Sequence, residues 1–269
     1  MPEVMLNGAR IHYEERGQGP ETIVFSHGLL WSGRMFRAQV AALSDRYRCV
    51  TFDFRGQGES AVTADGYDMD TLTQDAAELI AALGLAPCHF AGLSMGGFVG
   101  MRLAARRPDL IRSLILMETS ADPEPQENIP QYRRLLAVAR WVGLRPVAGR
   151  VMPIMFGATF MRDPGRAEER REWQGYMAAN NRVGVIRATE GVITRKPIYD
   201  ELGAITLPTL IIIGDEDVAT TPDHSARMRD AIEGAQLVRI PRAGHTSSVE
   251  EPEAVTVAIK AFLAGLPRR

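Results

Sequence analysis

A serine stands between two glycines in the segment G-L-S-M-G, which covers residues 92–96. The hydroxyl of this residue, Ser94, could attack a carbonyl carbon if a neighbouring base took its proton. The pattern predicts a sharp turn from a strand into a helix, because the glycines leave room where larger side chains would collide. Residues 87–91 are typical of a short buried strand and residues 98–106 of a helix. Ser94 is therefore the candidate nucleophile.

A serine nucleophile needs a base, and a histidine oriented by a carboxylate is well suited to that role. Of the five histidines we select His245, because it follows a predicted strand and precedes a predicted helix. The residues alone leave four carboxylates open. Asp217 follows a strongly apolar strand, and its rivals also lie at strand ends: Asp215, Glu216 and Glu118.

Acyl transfer also needs N–H donors for the negative charge that develops on the carbonyl oxygen. We predict the backbone N–H of Met95, at the start of the helix after Ser94, as one donor. The second is expected from Leu29 in the H-G-L segment after another predicted strand, because Gly28 lets the backbone approach a substrate closely. His27 is expected to brace this loop rather than to contact the substrate.

Strand and helix patterns alternate on both sides of these residues. A predicted hairpin at residues 4–14, with Asn7-Gly8 at its turn, precedes the alternation. The alternation stops at Ala121, and residues 122–202 favour helices interrupted by prolines. It resumes with an apolar strand at residues 207–213. This order predicts an α/β fold, with a mostly parallel sheet, helices on both faces and one helical insertion.

The helical insertion is rich in large apolar side chains, most of which are expected to pack it against the sheet. A few are expected to line an apolar substrate pocket near Ser94, together with two residues that follow Leu29. The predicted pocket residues are Leu30, Trp31, Trp141, Phe156, Phe160 and Met177. The insertion also carries arginines that could meet an anionic substrate, although a solvated helix face is the simpler explanation for them. They include Arg133, Arg134, Arg140, Arg145 and Arg150.

The chain has 269 residues, of which 45% are hydrophobic and 24% charged, which fits one α/β domain with an insertion. The net charge of −2 and the lack of a basic run argue against nucleic acid as a partner. Cys49 and Cys88 are expected to be buried free thiols, and no spacing suggests a metal or another cofactor. The first residues lack the features of a signal peptide and no apolar run is long enough for a bilayer, so we expect a cytoplasmic location and no membrane partner. The sequence does not indicate an oligomeric state.

Five segments, in this order, resemble the α/β-hydrolase superfamily. They are H-G-L at 27–29, D-F-R-G-Q-G-E-S at 53–60, G-L-S-M-G-G at 92–97, G-D-E-D at 214–217 and A-G-H at 243–245. The resemblance implies an eight-stranded sheet with an all-helical cap inserted after the sixth strand. The cap would be residues 122–202, between core segments 1–121 and 203–269. The chain order Ser, Asp, His of that superfamily selects Asp217 among the four carboxylates.

Within the superfamily, the chain looks most similar to small esterases and lactonases, including 3-oxoadipate enol-lactonase and some acyl-homoserine lactonases. The resemblance implies a cofactor-free serine hydrolase of a small-molecule carboxylic ester or lactone, with Ser94, Asp217 and His245 as its triad. A serine at the turn, rather than an aspartate, argues against haloalkane dehalogenases and epoxide hydrolases. Perhydrolase activity and carbon–carbon bond hydrolysis remain alternatives, because they use the same triad, and so does a small-molecule receptor that keeps the triad.

Overall fold

A sheet of eight strands forms the centre of the structure, a computed structural model that describes residues 2–267. The strands are β1 (Glu3–Leu6), β2 (Ala9–Arg16), β3 (Glu21–Ser26), β4 (Tyr47–Phe52), β5 (Cys88–Leu93), β6 (Ile111–Met117), β7 (Thr209–Gly214) and β8 (Gln236–Ile240). Their order across the sheet is β1-β2-β4-β3-β5-β6-β7-β8. Strand β2 runs antiparallel to both of its neighbours, and the other pairs are parallel. The predicted mostly parallel sheet is thus confirmed.

Helices follow most of the strands, as the alternating pattern predicts. The α-helices are α1 (Arg37–Leu43), α2 (Met69–Ala82), α3 (Met95–Arg106), α4 (Ile129–Val142), α5 (Arg145–Met155), α6 (Ala158–Arg162), α7 (Ala167–Ala179), α8 (Arg182–Ile193), α9 (Pro222–Ala231), α10 (Ser247–Glu250) and α11 (Pro252–Ala264). The short helix α10 is absent from the sequence prediction, because four residues are too few to show a helical period.

Alternate side chains of the central strands enter two separate hydrophobic cores. In β3, Val24 belongs to the core that α2 and α3 cover, and Ile23 and Phe25 belong to the core that α1 and α11 cover. All three side chains are fully buried. Both faces of the sheet are therefore covered by helices, which explains why the central strands are apolar without alternation.

The loops that carry the candidate site residues all lie at the C-terminal end of the parallel strands. Because β3, β5, β6, β7 and β8 are parallel, their C-terminal ends point the same way. The H-G-L segment follows β3 and Ser94 follows β5, while Asp217 follows β7 and His245 follows β8. The fold therefore brings four segments together that are far apart in the sequence.

Five α-helices, α4 to α8, lie between β6 and β7, which confirms the predicted helical insertion after the sixth strand. Aromatic side chains pack these helices against the sheet. The ring of Trp31 contacts Phe156 and Trp173 edge-on, with ring centroids 5.8 and 5.5 Å apart. Phe156 also stacks on Phe160 with centroids 4.5 Å apart. The division of the chain into core and cap domains at residues 122–202 stays a prediction.

Both cysteines are buried free thiols, as the sequence predicts. Burial raises the pKa of Cys49 and of Cys88 to about 12, so neither thiol is a nucleophile at neutral pH. Among residues 2–267, none of the helices combines the length and the apolar composition that crossing a bilayer requires.

Candidate active site

The turn after β5 holds Ser94 in a strained backbone conformation, with φ of 52° and ψ of −111°. A Cβ atom on Gly92 would lie 2.2 Å from the carbonyl oxygen of Gly96, and one on Gly96 would lie 2.0 Å from that of Ser26. Any side chain at either position would force the backbone apart. The N–H of Ser94 donates to the carbonyl oxygen of Met117 at 2.8 Å and fixes the turn against the neighbouring strand.

His245 lies between Ser94 and Asp217. Its Nε2 is 2.8 Å from Oγ of Ser94, and its Nδ1 is 2.8 Å from Oδ2 of Asp217. The other oxygen of Asp217 accepts the N–H groups of Ala219 and Thr220 at 2.8 and 3.0 Å, which fixes the carboxylate. The three residues are almost completely buried, with 8% of Ser94, 4% of His245 and 3% of Asp217 exposed. This arrangement can remove a proton from Ser94 and stabilise the resulting imidazolium.

The three rival carboxylates have other surroundings. Asp215 accepts a hydrogen bond from Arg239 at 2.6 Å, and Glu216 accepts one from the N–H of Thr159 at 2.7 Å. Glu118 is fully buried, and burial raises the pKa of its carboxyl well above the usual range. A protonated carboxyl would stabilise an imidazolium poorly. Within residues 2–267, acidic, histidine and cysteine side chains form no group of three that could hold a metal ion.

His27 supports the loop after β3. Its Nε2 accepts the N–H of Phe54 at 2.9 Å, so its Nδ1 carries the proton and donates to the carbonyl oxygen of Gly28 at 2.7 Å. Burial lowers the pKa of His27, which keeps the ring neutral as these two hydrogen bonds require. The ring thus fixes the backbone immediately before Leu29.

The N–H groups of Leu29 and Met95 donate no hydrogen bond within residues 2–267. Both are close to the serine: a Cβ atom on Gly28 would lie 3.4 Å from Cβ of Ser94, and Met95 is the first residue of α3. The start of a helix favours negative charge. Leu29 and Met95 stay the predicted donors to an oxyanion.

A cavity of about 130 Å³ adjoins Ser94 and His245. Its wall is mainly aliphatic and is built by α4, α5 and α8 of the insertion together with the loop after β3. It includes Leu29, Leu30, Leu135, Leu136, Val147, Val151, Val185 and Val192. An engineered protein cavity of about 150 Å³ holds benzene. The cavity therefore suits one ring or a short acyl chain.

Most of the predicted pocket residues lie elsewhere. Leu30 lines the cavity, whereas Trp141 is 83% exposed on the outer face of α4. The other four side chains are buried in the cluster that joins the insertion to the sheet: Trp31, Phe156, Phe160 and Met177. These large side chains fill the interface between the insertion and the sheet, and smaller aliphatic side chains line the cavity next to Ser94.

The arginines considered as contacts for an anion do not line the cavity either, because all five are exposed. The arginine that does line it is Arg195, just after α8. Sequence reasoning missed Arg195, since only its position next to the last apolar turn of α8 distinguishes it from the exposed arginines.

Glu250, also missed, ties the insertion to the loop that carries His245. Its Oε1 accepts the N–H groups of Gly244 and Thr246, at 3.0 and 3.1 Å, on either side of His245. Its Oε2 accepts the N–H of Gly157, between α5 and α6, at 2.7 Å. One buried carboxyl thus positions the His245 loop and the insertion together.

The stability contributed by Glu250 is expected to depend on pH. Burial raises its pKa to about 7, against about 4.3 in an unfolded chain. The folded state therefore binds this proton more tightly, and stability is lost as pH rises through that window. We expect the stability of wild type relative to Glu250→Gln to fall by about 2–3 kcal/mol between about pH 5 and about pH 8.

Urea unfolding of both proteins at the two pH values measures this change. Glu251→Gln, which removes the neighbouring carboxylate outside these contacts, is the control. A stability difference between wild type and Glu250→Gln that does not vary with pH would contradict the prediction.

The family model of the alpha/beta hydrolase fold matches residues 21–252. A Mycobacterium tuberculosis protein provisionally named non-heme bromoperoxidase BpoC is 30% identical, over 94% of this chain and 97% of that protein. The enol-lactonase of Burkholderia xenovorans LB400 has a TM-score of 0.90 and 31% identity, covering 98% of this chain and 100% of its own. A thermophilic esterase of Thermogutta terrifontis also has a TM-score of 0.90, with 29% identity over 98% of this chain and 97% of its own. The similarity extends over the sheet and the insertion alike.

Proposed function

Because the chain belongs to the alpha/beta hydrolase family, we propose that it is a serine hydrolase that cleaves a carboxylic ester or lactone through an acyl-enzyme on Ser94. The observation that carries the proposal is the pair of 2.8 Å contacts that joins Asp217 to His245 and His245 to Ser94. The enol-lactonase and esterase named among the similar structures support an oxygen ester as the substrate.

The first half of the reaction forms the acyl-enzyme. Oγ of Ser94 attacks the carbonyl carbon while Nε2 of His245 takes the hydroxyl proton. The oxyanion accepts hydrogen bonds from the N–H groups of Leu29 and Met95. As the tetrahedral intermediate collapses, His245 gives the proton to the leaving alkoxide. In a lactone this alkoxide stays covalently attached to the acyl group.

The second half releases the acid. His245 takes a proton from water, which attacks the acyl carbon, and then returns the proton to Ser94 as the ester bond breaks. Asp217 holds Nδ1–H of His245 throughout and stabilises its charged form. The buried position of all three side chains strengthens these interactions, because water screens them poorly there.

A second candidate function is perhydrolysis, which the similarity to a protein named as a bromoperoxidase favours. In that reaction hydrogen peroxide replaces water and attacks the same acyl-enzyme, which releases a peracid and the free serine. The triad serves both reactions without any change in the roles of its residues.

A hydrolysis screen tests the proposal. It compares p-nitrophenyl esters of increasing acyl length with simple lactones and acyl-homoserine lactones, and repeats the best substrate with peroxide added. We expect short esters or lactones to be cleaved in a Ser94-dependent way, because the cavity is small. Accumulation of peracid in preference to the acid would support the perhydrolase instead. No turnover of any ester or lactone by the folded protein would contradict the proposed hydrolase.

A further inference from the structure

The cavity beside Ser94 contains polar side chains that the proposed triad does not use. Arg195, Glu124 and Tyr132 are among them, in a wall that is mainly apolar. Burial raises the pKa of Tyr132, and of its two charged neighbours Glu124 raises it further and Arg195 lowers it. The cavity therefore combines a mainly apolar surface with a polar cluster made of Arg195, Glu124 and Tyr132.

Arg195 is held firmly at this wall. Its Nη1 donates to Oε2 of Glu124 at 2.7 Å, and its Nε donates to the carbonyl oxygen of Asp122 at 3.0 Å. Its guanidinium lies over the ring of Phe98, 4.4 Å from the ring centroid. Phe98 lies one helical turn after Ser94 and also lines the cavity. A substrate that extends from Ser94 along Phe98 would thus meet Arg195 after a short apolar span.

Two donors of this group lack a partner. Within residues 2–267, neither Nη2 of Arg195 nor the hydroxyl of Tyr132 takes part in a hydrogen bond. Arg195 is only 8% exposed, so its free N–H groups are largely shielded from water. Burial raises the pKa of Tyr132 to about 12, and its hydroxyl therefore stays protonated. A ligand oxygen that accepts hydrogen bonds would satisfy both donors.

The charges around Arg195 indicate what kind of oxygen this is. The charge of Arg195 is already balanced by Glu124, and the neighbouring Asp122 is paired with Arg227. A carboxylate on the ligand would bring an unbalanced negative charge into a mainly apolar cavity, which is costly. A neutral carbonyl oxygen adds no charge and still accepts both hydrogen bonds.

We propose that Arg195 and Tyr132 bind a neutral carbonyl oxygen, of a ketone or an amide, in the acyl part of the substrate. This inference rests on the proposed function, because it assigns the cavity to the acyl group that is transferred to Ser94. The substrate class is then a short acyl ester or lactone with a second carbonyl group along its chain.

Three esters of equal length test the proposal: p-nitrophenyl hexanoate, its analogue with a ketone on the penultimate carbon, and the p-nitrophenyl half ester of adipate. We expect kcat/KM of wild type for the keto ester to exceed that for hexanoate by about tenfold, with the adipate half ester below both. In Tyr132→Phe the ratio of keto ester to hexanoate is expected to fall about fivefold, because one neutral hydrogen bond is lost.

Tyr176→Phe is the matched control, because Tyr176 hydrogen-bonds Glu172 on α7 and does not line this cavity. It should leave the ratio unchanged. Equal rates of wild type with hexanoate and its keto analogue would overturn the proposal, and so would a preference for the adipate half ester. A ratio that Tyr132→Phe and Arg195→Met both preserve would overturn it as well.

A binding measurement separates this inference from the proposed function. Calorimetry with Ser94→Ala compares a linear diketone with the monoketone of equal length, neither of which can be hydrolysed. We expect the diketone to bind about fivefold more tightly, and Ser94→Ala/Tyr132→Phe to lose the difference. If the difference persists while wild type cleaves no ester, the proposed hydrolysis is wrong and the carbonyl site stands. Equal affinities would overturn the carbonyl site.

Discussion

Replacing Ser94 with alanine is expected to lower kcat/KM for the best ester or lactone by about 10⁵-fold or more. The change removes the atom that His245 contacts at 2.8 Å and on which the acyl-enzyme would form. A small residual rate is expected, because the N–H groups of Leu29 and Met95 still stabilise an oxyanion when water attacks directly. Steady-state kinetics at substrate concentrations around KM measure the loss.

Folding of the Ser94→Ala protein must be checked beside its kinetics, since the residue has a positive φ. Alanine meets the same backbone strain as serine, so the melting temperature is expected to stay close to that of wild type. Thr119→Ser is a useful control, because the Thr119 hydroxyl donates to the carbonyl oxygen of Ser94 and serine keeps that donor. Ester turnover near the wild-type rate by a folded Ser94→Ala protein would exclude Ser94 as the nucleophile.

Replacing Asp217 with asparagine is expected to reduce kcat by about 10⁴-fold. Asparagine has the same shape and can still accept the N–H groups of Ala219 and Thr220 through its oxygen. Its amide N–H₂ would then face Nδ1 of His245, which favours the tautomer with the proton on Nε2. That tautomer cannot take the proton of Ser94. The loss should therefore appear mainly in kcat, with little change in KM.

Asp215→Asn is the matched control for this substitution. Asp215 lies in the same loop, but it pairs with Arg239 at the surface. We expect its kcat to lie within about twofold of wild type, since a surface ion pair contributes little. If Asp217→Asn kept more than a tenth of the wild-type activity, Asp217 would not be the group that orients His245.

The residue patterns were sufficient to predict that Ser94 and His245 lie together, and the chain order of the α/β-hydrolase superfamily was needed to select Asp217 among four carboxylates. Each residue lies in the loop or turn that follows a strand, and parallel strands bring their C-terminal ends to the same end of the sheet. The glycines around Ser94 indicated the turn. They are needed there because the backbone packs too closely for a side chain, as at the contact of Gly96 with Ser26. Local pattern and topology thus locate Ser94 and His245 without knowledge of any tertiary contact, and the resemblance adds Asp217.

The cavity wall could not be predicted in the same way. The helices of the insertion carry apolar residues on several faces, and the sequence does not state which face meets the sheet and which meets Ser94. Phe156 and Phe160 pack at the interface between the insertion and the sheet, and Trp141 is exposed. Arg195 became recognisable only when its burial against Phe98 was known. The packing of the insertion on the sheet decides which side chains line the cavity. It depends on contacts between residues that are distant in sequence.

Mass spectrometry of the protein after reaction with diethyl p-nitrophenyl phosphate tests the central claim most directly, because the adduct of this reagent with an activated serine is stable to water. We predict one diethylphosphoryl group per chain, on the peptide that contains Ser94, formed in step with the loss of ester hydrolysis. The Ser94→Ala and Asp217→Asn proteins should remain unlabelled over the same time. Labelling of a different residue as activity is lost, or full activity after Ser94 has been labelled, would contradict a mechanism in which Ser94 is the nucleophile.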